Sequence, residues 1–227
     1  GMVMGGAKWA EGIIGGALHL DGADDFVSIP NESMFDFTGS VTVSAWIQVE
    51  SFTKPWQSIV TKGDRAWRLH RANETKCAGF ACSDLSRDQV GDLYGKRDVD
   101  DGKWHHVAGV FDGEEVRLYL DGKVLARTAG SGKRRSNRFP LLIGADVDSR
   151  GNPTSHFSGK LDEVRLSKSA RYTKGSFRPA KKHKADKDAV LLLDCDRMVG
   201  PWAIDRSPTA SHPTRLGAAY CTVRKRR

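Results

Sequence analysis

The stretch DGKWHHVAGVFDGEEVRLYLDGKVL, residues 101–125, decides how the chain is read. Trp104, His105 and His106 stand together with aspartates on both sides, a mixture that active sites also use. The spacing points elsewhere. Val116, Leu118 and Leu120 alternate with Arg117, Tyr119 and Asp121, the period-two pattern of a strand with one apolar face. Asp-Gly falls at 101–102, 112–113 and 121–122, and both residues tolerate the positive φ of tight hairpin turns. The segment therefore reads as three successive strands. Neighbours on a strand face opposite sides, so His105 and His106 cannot share one metal ion or act as an acid–base pair. The plainer role is one imidazole packed beside Trp104 and bonded to backbone.

The same period runs outward from this meander. In 40–49, Val41, Val43, Ala45, Ile47 and Val49 alternate with Thr42, Ser44, Trp46 and Gln48, a half-buried strand. In 160–167 the alternation breaks at Asp162-Glu163, which allows a bulge or bend. Further short strands are expected at GALHLDG, DDFVSIP, SIVTKGD, AWRLHRA, CAGFACS, KVLARTAG, PLLIGAD and AVLLLDCD, and another Asp-Gly sits at 21–22. The nearest approach to a helical turn is KSARYTKGSF. Many short strands with tight turns imply an all-β fold of two packed antiparallel sheets.

With 227 residues, the chain can bury a sizeable core as one large β domain without disulfide support. No apolar run is long enough to span a bilayer. The start, GMVMGGAKWAEG, has no basic region followed by a greasy one. Gly1 before Met2 reads as a cloning remnant, so an export signal can have stood upstream. The four cysteines are Cys77, Cys82, Cys195 and Cys221, and neither pair has zinc-ligand spacing. On one strand Cys77 and Cys82 would lie about 17 Å apart, too far to bond. Cys195 and Cys221 could bridge, or remain as buried thiols. The net charge of +8 gathers in GKRRSNR (132–138), RPAKKHKADK (178–187) and RKRR (224–227). Solvated loops and a frayed tail account for such runs, and they also suit an anionic polysaccharide. Without interleaved aromatics they do not suggest a stacking site for single-stranded nucleic acid.

GGALHLDGADDFVSIP, FTGSVTVSAWIQ, SIVTKGD, the 101–125 meander, PLLIGA and FSGKLDEVRLSKSA follow one another in this order. Together they resemble the laminin G-like, or concanavalin A-like lectin/glucanase, jelly-roll domains of bacterial proteins, over about residues 13–172. The resemblance implies a two-sheet β-sandwich of roughly a dozen strands, binding carbohydrate or protein outside the cell, and in some members a structural calcium ion. Residues 189–220 look like the segment that often opens such a domain, here placed last. Either 189–223 fold back beside the N-terminal strand, making 1–227 one domain with a basic connector at 173–188, or they begin a second module.

Calcium requires several oxygen ligands, and two clusters offer them: Asp21, Asp24 and Asp25, and Asp162, which the resemblance places on paired strands. Turn-capping is the simpler role for these carboxylates. The stretch 146–157 fails as an EF-hand, with Arg150 at the fifth place and Phe157 where a bidentate Glu belongs. For ligand contact, Thr42, Ser44, Trp46 and Gln48 share one strand face, and Arg117 and Tyr119 another. Aromatic plates beside hydrogen-bonding groups suit sugar rings, although a covering loop would make these rings mere packing. Trp56, Trp67, Arg68 and Asn152 are alternative contacts from loops. No stretch places two carboxylates as a glycosidase needs. The expectation is a non-catalytic recognition module, extracellular or envelope-associated, with a glycan as ligand. Alternatives are a protein-interaction or scaffold module that binds a cell-surface protein and, further off, a polysaccharide-cleaving enzyme.

Overall fold

The computed structural model describes residues 1–209 except 30–31, 64–65, 84, 86–92, 135, 174 and 200. Cys221 and the 224–227 basic run lie outside the described residues. In chain order the strands are β1 Met2–Met4, β2 Lys8–Glu11, β3 Gly16–Asp21, β4 Phe26–Ile29, β5 Val41–Val49 and β6 Ser58–Thr61. Then come β7 Trp67–Arg71, β8 Cys77–Cys82, β9 Leu93–Asp98, β10 Trp104–Phe111, β11 Glu115–Leu120 and β12 Lys123–Ala129. The last are β13 Leu141–Ile143, β14 Asp146–Val147, β15 Pro153–Thr154, β16 Ser158–Ser167, β17 Ala189–Val199 and β18 Trp202–Asp205. Among the described residues no helix is long and apolar enough to cross a membrane.

The strands form a sandwich. One layer runs β12-β11-β10-β5-β16, with β3 and β2 beyond β16; the other runs β1-β4-β13-β6-β7-β8-β9. The strand pairings among the described residues are antiparallel, and β5 has β10 on one side and β16 on the other. Val41, Val43, Ala45, Ile47 and Val49 of β5 and Val116, Leu118 and Leu120 of β11 point into one core between the layers. At Asp121-Gly122 both residues have positive φ, 50° and 77°, as a two-residue hairpin turn demands. The break at Asp162-Glu163 is a bulge: Glu163 has φ 49° and the β16–β5 register shifts between Asp162 and Arg165.

Residues 189–205 join the layers. β17 pairs with β16, β18 pairs with β17, and β18 meets β1 at Met2 opposite Trp202. The register shifts between Leu193 and Met198, with Cys195 at φ 47°. Cys77, Cys82 and Cys195 are buried free thiols.

The described residues of 168–188, which include the basic connector 173–188, differ from the helical turn expected near KSARYTKGSF. They form an extended strap across the outer face of β16, β5, β10 and β11. Thr42 donates to the Ser169 carbonyl and accepts from Arg171 N–H. Phe177 N–H donates to the Gly122 carbonyl, and Ser176 bridges to Lys123. Ala108, Val110 and Tyr119 pack there against Ala170, Tyr172 and Phe177, a second, smaller apolar cluster. β5 is consequently buried on both faces, Gln48 being the partly exposed exception.

Candidate functional site

The strap settles the surroundings of the residues on the outer face. Trp46 is 9% exposed, donates from Nε1 to the Ala180 carbonyl at 3.0 Å and meets the His106 ring edge-on at 5.4 Å. Tyr119 is fully buried, donates to the Tyr172 carbonyl at 2.9 Å and packs against Phe177. Ser44 and Thr42 are buried beside them. These side chains belong to packing under the strap, the covering-segment role. Arg117 is held by Asp112 at 2.6 Å and Glu115 at 2.5 Å, and Asp112 also caps its own turn through Glu114 and Glu115 N–H. Gln48 donates to the Gly102 carbonyl. Trp67 is 1% exposed and lies in the main core, because β7 alternates and the inward set is Trp67 and Leu69.

The outward set on β7 is Arg68 and His70. Here the structure gathers an aromatic face that crosses three strands. In register, Arg68 lies opposite Ala81, His70 opposite Gly79, and Gly79 opposite Tyr94. Trp56, from the loop before β6, lies with its ring 5.5 Å from His70 and 6.3 Å from Tyr94. The Arg68 guanidinium sits 5.8 Å over the Trp56 ring and 3.4 Å from Asp146. Trp56 is held at φ 59° with its N–H on the Asn73 carbonyl. Gly79 forms the floor: a β-carbon there would lie 3.2 Å from His70 and 3.3 Å from Tyr94. Tyr94 is 45% exposed. Rings with apolar faces beside a guanidinium provide van der Waals contact and hydrogen-bond donation on one surface.

Sequence reasoning named Trp56 and Arg68 but not Tyr94 or His70. β9 reads LYGKRD, too charged to register as a strand, although a lone glycine in CAGFAC marks close approach across a sheet. Asn152, also named, belongs to the β14–β15 hairpin, where its N–H and side-chain amide donate to Asp148.

The acidic residues divide. Asp21, Asp24 and Asp25 bring carboxylate oxygens within 4.8 Å of one another. Asp25 is 2% exposed and accepts from Gly6 and Asp21 N–H. Asp21 caps the turn through Ala23 N–H, and that bond holds its carboxyl below the usual range. Lys54 Nζ donates to the Gly22 carbonyl beside them. Asp162 stands apart. Asp21 pairs with Ser158 on β16, and four residues further along that strand is about 13 Å. Asp162 instead accepts from Ile13 and Ile14 N–H, and burial raises its carboxyl to about 7.

The 101–125 stretch has the faces its alternation demands. His105 is clasped between Asp121 and Asp101, each 3.0 Å from a ring nitrogen. His106 points the other way, under the strap, where burial lowers its pKa to about 3.

This two-layer antiparallel sandwich is the concanavalin A-like architecture. The chain belongs to the concanavalin A-like lectin/glucanases superfamily, whose laminin G-type model matches residues 21–174. No curated protein matches it by sequence. Among solved structures it is similar to a candidate carbohydrate-binding protein of Bacteroides ovatus, at 18% identity and TM-score 0.61, over 81% of this chain and 53% of that one. It is similar to the binding domain of Paraclostridial Mosquitocidal Protein 1, at 14% identity and TM-score 0.57, over 73% of this chain and 43% of that one. It is also similar to domain 4 of AbnA, an extracellular arabinanase of Geobacillus stearothermophilus, in complex with arabinotriose. That match has 20% identity and TM-score 0.53, over 74% of this chain and 77% of that one. The chain thus spans about half the length of the first two.

Proposed function

We propose that this protein is a non-catalytic carbohydrate-binding module that acts outside the cell or on its envelope, and that Trp56, Arg68 and Tyr94 form its ligand face, with the fully buried His70 as packing beneath it. The observation that carries the reading is the pairing of Trp56 and Tyr94 around Gly79, with Tyr94 45% exposed. Sugar rings present apolar CH faces to aromatic plates and hydroxyls to nearby donors. The names of two similar structures, a candidate carbohydrate-binding protein and an arabinanase domain with arabinotriose, support the same ligand class. Retention on insoluble arabinan, xylan and β-glucan tests it. The wild type should be retained by at least one of them and Tyr94→Ala should be released at about tenfold lower polysaccharide competition. Equal retention of the two proteins would count against this face.

Asp21, Asp24 and Asp25 fit a hard divalent cation in donor type, all being carboxylate oxygens close together. Calcium held there would tie the β3–β4 turn to the Gly5-Gly6 turn and serve structure. Millimolar calcium should then raise the melting temperature, and Asp24→Asn should abolish the rise; an identical melting curve with and without calcium would remove the ion from the account.

A further inference from the structure

The Trp56 and Tyr94 rings lie 6.3 Å apart with 47° between their planes. Two planes at that angle cannot both lie flat against one planar object. Stacking on a sugar requires the aromatic face and the apolar CH face to be nearly parallel. A ligand that uses both rings must therefore turn between its own sugar rings. The short separation lets neighbouring residues of one chain do so, one on each aromatic ring. Both rings are within reach of a ligand: Tyr94 is 45% exposed and Trp56 is partly exposed.

The tilt is built into the fold. His70 is fully buried beside Trp56, with 45° between the two rings. Its Nδ1 donates to the Arg71 carbonyl, which fixes the imidazole. Gly79 has no β-carbon, so His70 and Tyr94 close over it. The loop that carries Trp56 is fastened by Arg71, which is 7% exposed. The Arg71 guanidinium donates to the Lys54 carbonyl on that loop and to the Glu74 and Thr75 carbonyls of the β7–β8 turn. Backbone bonds repeat the tie: Trp56 N–H donates to the Asn73 carbonyl and Arg71 N–H to the Gln57 carbonyl. Rings held in advance lose little freedom on binding. Their angle therefore selects among ligands instead of adjusting to them.

We infer that this face selects single polysaccharide chains whose successive sugar rings turn against one another, as in arabinan and xylan, over the flat, coplanar ribbons of crystalline cellulose and chitin. The inference rests on the reading of Trp56, Arg68 and Tyr94 as the ligand face. It adds the shape of chain that the face admits.

Calorimetric titration of the whole chain with arabinohexaose and xylohexaose, beside depletion from solution by crystalline cellulose and by chitin, tests this. At least one hexaose should bind, and neither solid should deplete the protein. Trp56→Ala and Tyr94→Ala should each weaken that hexaose about tenfold, because each removes one of two stacks. Tyr94→Phe keeps the ring and should bind as the wild type does. The wild-type comparison of hexaose with solid decides even where a variant fails to fold. Depletion by either crystalline solid, or a hexaose affinity that depends on only one of the two rings, would overturn the inference and leave the ligand face standing. Binding of neither hexaose would also overturn it, and a glycan array without a bound glycan would then take the ligand face with it.

Discussion

His105 and His106 show how much a single register decides. Both were legible as residues on opposite faces, since alternation needs no structure to be read. What each one touches was not, because their partners come from turns and from a strap sixty residues away. Asp121 and Asp101 flank the His105 ring, and the hydrogen bond His105 donates to Asp121 raises its pKa above the ordinary value. A histidine that holds its proton more tightly folded than unfolded contributes stability in full below its unfolded pKa, about 6.5. That contribution fades as pH rises through the folded value. Wild type should therefore exceed His105→Gln in stability by more at pH 6 than at pH 9, as measured by urea unfolding; a constant difference would contradict the clasp. The thiols make a second case. Burial pushes Cys82 up to about 12 and raises Cys195 well above its usual value. Alkylation at pH 8 followed by mass mapping should find both unlabelled in the native protein and labelled in denaturant. Arg134 carries a similar lesson about charge. It belongs to the basic run 132–138, yet it is 2% exposed, donates to the Gly39 and Phe37 carbonyls and covers the Phe37 ring. A charge run counts cations without saying which of them are fasteners.

The strap is the element that the sequence pattern concealed. Its composition is basic and polar, and Tyr172, Phe177 and His183 follow no regular period. Nothing local signals that they will close over a sheet. The strands beneath gave the missing hint: Trp46 and Tyr119 are large side chains on faces otherwise read as polar, and large rings on a polar face call for a cover. The bulge in β16, by contrast, was readable from the lost alternation at Asp162-Glu163. Phe177 packs on Tyr172, Tyr119 and His106. Phe177→Ala should cost about 2 kcal/mol, less than a fully buried phenylalanine. It should also shift Trp46 emission to the red, since the Ala180 carbonyl that receives its indole N–H belongs to the same strap. An unchanged spectrum and melting point would show that the strap is not held by this residue.

At the scale of the molecule, the two layers touch where Phe80 of β8 lies over Gly109 of β10. A β-carbon at Gly109 would fall 2.1 Å from the Phe80 ring. Gly109→Ala must therefore push the layers apart or turn the ring, at a cost of about 1–3 kcal/mol, visible as a lower denaturation midpoint. The layering followed from alternation and Asp-Gly turns; the exposed aromatic face did not, because it is assembled from a loop, two strands and a glycine far apart in sequence. On that face rests the central claim, that the protein binds glycans without altering them. A glycan array probed with the wild type and with Trp56→Ala, each first shown to have the same circular dichroism, tests it most directly. The account predicts a defined set of glycans bound by the wild type and lost in Trp56→Ala. An array with no bound glycan, or one that both proteins bind alike, would contradict it.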